Sequence, residues 1–225
     1  MNLDPILADV EQAGLAPRGA LRLDDTERVG ALADVRTLVL IGTTGRRGWE
    51  TFAASPEARD GLDDSLDRFS RRVIGGLACA LGAVALYPFG GPPYWPFQRW
   101  AQRAEPVYPS PIGLLVHPVH GLWHSYRGAL GFAGAAEPAP PERAPGPCDS
   151  CRERPCLQTC PVGAFSSQGY DVDACVGWLR LPAGGDCMTR GCLARRACPV
   201  GRDYAPEADQ ASFSMRAFLR ARPST

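Results

Sequence analysis

Eight of the chain's nine cysteines lie between Cys148 and Cys198, and the ninth, Cys79, stands far upstream in an apolar segment. The run reads Cys148-Asp149-Ser150-Cys151, then Cys156 and Cys160-Pro161, then Cys175, Cys187, Cys192 and Cys198-Pro199. Two tetrapeptides are identical, Cys160-Pro161-Val162-Gly163 and Cys198-Pro199-Val200-Gly201. Each closes a group of four cysteines, so the window duplicates a four-cysteine unit. Any fold for this chain must bring these thiols to a common purpose.

Iron–sulfur ligation suits four thiolates, twice, with proline after the last. In two-cluster ferredoxins three close cysteines bind one cluster, and a fourth, before proline, ligates the other. Applied here, that crossing rule assigns Cys148, Cys151, Cys156 and Cys198 to one [4Fe–4S] cluster. It assigns Cys160, Cys175, Cys187 and Cys192 to the other. Proline after the crossing cysteine stops the loop from continuing as regular structure. The spacing is looser than in a small ferredoxin: Cys151 to Cys156 is stretched, and Cys175 stands apart. The wrapping loops must therefore be longer. Paired four-cysteine zinc sites use similar short spacings but need neither a Cys-Pro ending nor a crossing partner. Disulfides would suit a small exported domain, and nothing here marks the chain for export.

The whole chain, 225 residues with a formal net charge of zero, suits one large domain or two small ones. Charge balance argues against nucleic acid as a partner, since such binders carry a basic surplus. Local arginines remain near the late cysteines (Arg190, Arg195, Arg196, Arg202) and at the end (Arg216, Arg220, Arg222). They read as a solvated face or as charge balance around anionic clusters. Met1-Asn2-Leu3-Asp4-Pro5 has neither the basic nor the apolar region of a signal peptide. The uncharged stretch from Val73 to about Gly91 is long enough to raise a membrane span. Gly75, Gly76, Gly82 and Pro88 interrupt it, so it reads as a helix end followed by a buried strand. With reduced thiols and no span, the expected compartment is the cytoplasm.

In chain order, Asp4 to Gly14 has apolar residues at helical spacing. Leu21 to Glu27 is polar and loop-like. Thr37-Leu38-Val39-Leu40-Ile41-Gly42 is a short apolar run ending at glycine, the pattern of a buried strand. A helix is predicted from about Arg47 to Ala54. A longer one runs from Asp63 to Ala80, with Leu66, Phe69, Val73 and Leu77 in a stripe and Cys79 as a buried apolar residue. Val84 to Phe89 reads as a strand, Gly90 to Phe97 as a proline- and aromatic-rich loop, and Gln98 to Ala104 as a helix. Gly113 to His117 and Leu122 to Leu130 read as two strands of a hairpin. The alternation makes the first part an α/β unit. Gly134 to Pro147 is a Pro/Ala linker without a core. After Cys198 only Gln210 to Arg222 looks helical. The expected domains are thus 1–133, a linker at 134–147, and the cysteine domain at 148–225.

The segment Ile112 to Leu130, with His117-Pro118, Gly121-Leu122-Trp123 and Arg127-Gly128, resembles a hairpin of the CblC cobalamin-processing family. The layout, this hairpin followed by two four-cysteine groups, is similar to that of epoxyqueuosine reductases and reductive dehalogenases. The resemblance covers most of residues 37 to 200. It implies an α+β chain: a nitroreductase-like α/β sandwich, then a two-cluster ferredoxin-like domain. It further implies a corrinoid held over the sheet and fed electrons by the clusters. In the reductases an acid precedes the helix matching Gln98–Ala104, whereas here the stretch is Pro92-Pro93-Tyr94-Trp95-Pro96, without a carboxylate. This departure counts against epoxyqueuosine reduction itself.

A corrin ring is a broad, apolar plate whose site needs backbone, aromatics and few charges, while the cofactor carries the chemistry. His117, Trp123, Tyr126 and Tyr94 are the candidate contacts, with His117 the leading histidine of the three because it lies in the matching His-Pro. His120 and His124 share its segment, and each histidine, like Trp123 and Tyr126, reads more readily as a packed or hydrogen-bonded residue than as a cofactor contact. Two functions follow. In one, the chain is an oxidoreductase that passes electrons from a flavodoxin- or ferredoxin-type donor, through its clusters, to a corrinoid or small substrate. In the other, it is a ferredoxin-type carrier whose first half is a docking platform.

Overall fold

The structure, a computed structural model, describes residues 1–142 and 144–222. Arg143, within the expected linker, and the last three residues of the expected cysteine domain lie outside the described residues. The helices and strands of the first half are α1 (Asp4–Gln12), β1 (Ala16–Arg22), β2 (Thr37–Thr44), α2 (Arg47–Ala53), α3 (Ser65–Leu81), β3 (Val84–Leu86) and α4 (Phe97–Ala104). Then come β4 (Tyr108–Pro109), β5 (Leu115–Val116) and β6 (His124–Phe132). The cysteine-rich half holds α5 (Pro155–Gln158), β7 (Phe165–Ser166), β8 (Gly169–Tyr170), α6 (Val172–Leu179), α7 (Gly185–Arg190), α8 (Leu193–Arg196) and α9 (Ala208–Arg220). The chain divides into two compact units. One comprises the described residues of Met1–Pro106 and His124–Arg143, the other those of Val107–Trp123 and Ala144–Thr225.

The first unit is built on a four-stranded sheet in the order β1-β2-β6-β3, and every ladder is antiparallel. The alternation of strands and helices had pointed to α/β, which implies parallel pairing. Antiparallel ladders make the chain α+β instead. The central strand β2 buries Thr37 to Gly42 on both faces. Leu38, Val39, Leu40, Ile41, Ala129 and Leu130 are fully sealed from solvent. A run that is apolar on both faces has no solvent side, which is why its sequence shows no alternation.

Helix α3 packs on this sheet through Phe69, Ser70, Ile74 and Ala78, one position round from the stripe the sequence suggested. Cys79 therefore points away from the core and is exposed, not buried. The helix ends at Gly82 in the left-handed conformation, φ +63°, which glycine adopts without strain. The uncharged stretch that begins in α3 continues into β3, and no helix among the described residues is long and apolar enough to cross a membrane.

The segments read as two halves of a hairpin belong to different sheets. Leu115–Val116 pairs with Tyr108–Pro109, while β6 pairs with β2 on one side and β3 on the other. Both edges of β6 are thus taken. The turn between them closes only the His117–Gly121 pair, with reciprocal N–H to carbonyl bonds of 2.9 and 2.8 Å. Also unforeseen is β1, where the sequence offered only a loop from Leu21.

In the second unit, Ile112, Val116, Leu122 and Ala194 form a small buried core. Around it pack Cys148, Cys156, Cys160, Cys192 and Cys198, with Leu157 and Phe165. The cysteines take part of the place that apolar side chains fill in an ordinary domain.

Candidate metal centre

Short, tightly turned elements position the thiols. Before Cys148 the Gly146 N–H donates to Asp149 Oδ2 at 2.8 Å, and the Asp149 N–H donates back to the Gly146 carbonyl at 2.9 Å. Arg154 adopts a left-handed φ of +42°, and Pro155 then opens α5, which carries Cys156. Proline fits there because the first N–H of a helix has no partner to lose. Cys160 follows, and its Sγ accepts the Ala164 N–H at 3.4 Å. Asp171 caps α6 by accepting the Ala174 N–H at 2.9 Å, which starts the helix that presents Cys175. Cys187 lies on α7, and Cys192 just precedes α8.

The duplicated Cys-Pro-Val-Gly turns differ in their surroundings. Gly163 has φ +57° and open space where a Cβ would stand. Gly201 has φ +70°, and a Cβ there would lie 2.3 Å from the His120 carbonyl carbon. The second turn is therefore pressed backbone to backbone against the His120-Gly121 turn, which only glycine permits.

The structure brings Cys148, Cys151, Cys156 and Cys198 around one cavity, with Ile112, Val116, Leu122 and Pro199 completing its wall. The space measures about 430 Å³, its open mouth included. Burial raises the Cys148 thiol above its ordinary pKa, and the nearness of Cys198, Cys156 and Cys151 raises it further. Cys156 is raised by burial and then by Cys198 and Cys151. The other four thiols neighbour one another in the same way. Cys175 is raised by burial and by Cys160 and Cys187, against a hydrogen bond from Tyr170 that favours its thiolate. Burial raises Cys192, the N–H groups of Arg195 and Ala194 oppose the rise, and Cys187 and Cys175 add to it. All nine cysteines are free thiols. Among the described residues no three histidine, cysteine or carboxylate side chains converge closely enough for a single metal ion.

The aromatic and histidine candidates divide between the units. In the second unit, His117 Nδ1 accepts the N–H groups of Val119 and His120 at 3.0 and 3.2 Å, which fixes the turn. The His117 and His120 rings stack at 4.4 Å, and His120 meets Tyr204 edge-on at 4.5 Å. Trp123 is buried, with the Arg195 guanidinium 4.5 Å above its ring. In the first unit, His124 meets Tyr126 edge-on at 5.7 Å. The Tyr126 hydroxyl donates to Glu105, which also pairs with Arg18. Tyr94 stands on an exposed loop. The Arg18–Glu105–Tyr126 group escaped the sequence, because nothing local marks Glu105 at the end of α4 as the partner of a residue on β1.

No protein-family model matches the chain, and no curated protein does. Among solved structures, the fold is similar to a crystal structure of epoxyqueuosine reductase with a tRNA-Tyr epoxyqueuosine-modified tRNA stem loop. That match has a TM-score of 0.53 at 14% identity over 94% of this chain and 69% of the other. The epoxyqueuosine reductase of Bacillus subtilis, in a form with its catalytic loop swung out of the active site, matches at 0.51 and 14% over 92% and 69%. That of Streptococcus thermophilus matches at 0.50 and 14% over 90% and 67%. At these identities the likeness is one of fold.

Proposed function

We propose that this chain is an iron–sulfur oxidoreductase. Its second unit is a ferredoxin-like carrier of two [4Fe–4S] clusters, and its first, nitroreductase-like unit serves the electron acceptor. Cys148, Cys151, Cys156 and Cys198 would hold one cluster, and Cys160, Cys175, Cys187 and Cys192 the other. The observation that carries this reading is the exchange of closing cysteines. Cys198 stands with the early group, and Cys160 with the late one.

The donor set fits the group. Four thiols ring a space rather than converge on a point, whereas a zinc ion draws its thiolates to about 2.3 Å. The cavity wall is apolar, and the backbone N–H groups of Ala164, Ala194 and Arg195 point at sulfur. Such a cluster supplies transfer of one electron at a time, at a potential set by charge, hydrogen bonds to sulfur and exposure. The residues around it exclude water and fix the thiols. Burial raises the thiols of Cys148, Cys156, Cys175 and Cys192, so their protons must leave as metal enters.

The acceptor is a corrinoid in the families this chain resembles. Three of the four residues expected to touch one are engaged elsewhere: His117 in its turn, Trp123 under Arg195, and Tyr126 with Glu105. Only Tyr94 is exposed. These residues do not by themselves make a corrin cradle. The similar structures are of reductases, one holding a modified tRNA stem loop. For this chain we place the acceptor no more narrowly than a small oxidised substrate, and take its one-electron donor to be of the flavodoxin or ferredoxin class.

The test is anaerobic reduction with dithionite, followed by electron paramagnetic resonance and then addition of cobalamin. The reading expects a signal integrating to about two spins per chain, one for each cluster. A chain that stays silent on reduction refutes it. A shift of cobalamin to its base-off spectrum would identify the acceptor class, and an unchanged spectrum would exclude that class.

A further inference from the structure

Ser110 supplies the one hydroxyl in the wall of the cavity that Cys148, Cys151, Cys156 and Cys198 surround. The rest of that wall is thiol, proline and aliphatic side chain, apart from Arg154, which is exposed. The Ser110 Oγ is sealed from solvent and has no hydrogen-bond partner among the described residues. Its backbone, by contrast, is fully engaged. The Ser110 N–H donates to the Leu114 carbonyl at 2.9 Å, and the Ser110 carbonyl accepts the Gly113 N–H at 3.0 Å. These bonds close the turn between β4 and β5, whose ladder pairs Pro109 with Leu115. Pro111 narrows the backbone freedom of Ser110 further. The same hairpin lends Ile112 and Val116 to the cavity wall. The residue is thus held firmly beside four thiols, with its one side-chain donor unused.

A buried hydroxyl without a partner has given up its hydration for nothing, so such groups are rare and point to an acceptor that arrives later. A trapped water would itself need about two to four polar partners. No other hydroxyl, amide or carboxylate side chain lines this wall to provide them. What surrounds the space is sulfur, and a cluster would add more of it, carrying negative charge. We infer that the Ser110 hydroxyl donates a hydrogen bond to a sulfur of the cluster held by Cys148, Cys151, Cys156 and Cys198, and so raises that cluster's reduction potential. The inference rests on the proposed cluster assignment. Hydrogen bonds to an ionised acceptor are stronger than neutral ones. An added electron makes the cluster sulfurs more negative, so the bond stabilises the reduced state more than the oxidised one. The step it acts on is the entry of one electron from the flavodoxin- or ferredoxin-type donor. No covalent bond forms or breaks in that step, and the hydroxyl keeps its proton.

The experiment compares the full chain with Ser110→Ala, which removes the hydroxyl, and Ser110→Thr, which keeps it. Each is prepared anaerobically and analysed for iron. A redox titration read by electron paramagnetic resonance gives the midpoints, and Cys156→Ser identifies which signal belongs to the Cys148 cluster. Electron–nuclear double resonance on the reduced proteins, in water and in deuterium oxide, reads the exchangeable protons coupled to that signal. The expected result in Ser110→Ala is a lower midpoint for that signal alone, together with the loss of one exchangeable-proton coupling. Ser110→Thr should retain both the midpoint and the coupling. An alanine variant with full iron and either an unchanged midpoint or an unchanged set of couplings overturns the inference. So do equal falls in both midpoints, or a fully loaded threonine variant shifted as far as alanine, since a merely structural role would give those. A wild-type chain that takes up no iron overturns the cluster reading itself, and is told apart by its iron content.

Discussion

Arg18 and Glu105 face each other at 2.9 Å inside the first unit, with 2% and 8% of their surfaces exposed. The pair ties β1 to the end of α4, and the Tyr126 hydroxyl adds a donor from β6. Burial raises the Glu105 pKa, and Arg18 and Tyr126 oppose that rise. Removing one partner leaves the other charge buried and unpaired. Glu105→Leu should therefore destabilise the first unit by about 3–5 kcal/mol, and the double variant Arg18→Met with Glu105→Leu should recover much of that loss. Urea unfolding of the three proteins measures it. Equal losses in the single and double variants would mean that the pair itself contributes little.

The two copies of the Cys-Pro-Val-Gly turn allow a paired comparison. Gly163→Ala meets only the cost of a left-handed conformation, about 1–2 kcal/mol. Gly201→Ala meets that cost and also the His120 backbone. It should lower the thermal midpoint of the second unit clearly more than Gly163→Ala does. Equal midpoints would show that the turn at His120 yields freely.

Acid stability should depend on Glu57. Its hydrogen bonds with Arg72 hold the carboxyl down at about 2, despite the opposing effect of burial. A carboxyl depressed on folding stabilises the fold above its unfolded pKa, near 4.3. That contribution is lost as pH falls toward about 2. Unfolding measured between these limits should show stability dropping with acid, and Glu57→Gln should flatten the slope. An unaltered slope in the variant would place the acid sensitivity in other carboxylates.

What could be read from the sequence follows from how local each signal is. The β2 run is apolar on both faces, so Thr37 to Gly42 announced a buried strand without any partner in view. The repeated closing Cys-Pro is what suggests a grouping of the cysteines, because that signal is written in the chain itself. By contrast, β1 carries Pro17 and Gly19, and its register with β2 shifts between Pro17 and Ala20. A strand interrupted in this way loses its alternation, and its Arg18 looks like a surface residue until Glu105 is in place. The turn at Pro118 suggested a hairpin because pairing partners are not encoded locally. Only the finished sheet shows both edges of β6 occupied. Cys79 was misplaced by a single step round α3, enough to turn a helical side chain from core to solvent.

The crossing of ligands is tested most directly by counting iron in paired serine variants prepared anaerobically. If Cys156 and Cys198 serve one cluster, then Cys156→Ser, Cys198→Ser and the double variant should each forfeit that same cluster. Each should keep about four of roughly eight irons. Cys156→Ser combined with Cys160→Ser should lose nearly all of it. The account is contradicted if the Cys156 and Cys198 pair strips the chain of iron while the Cys156 and Cys160 pair spares half.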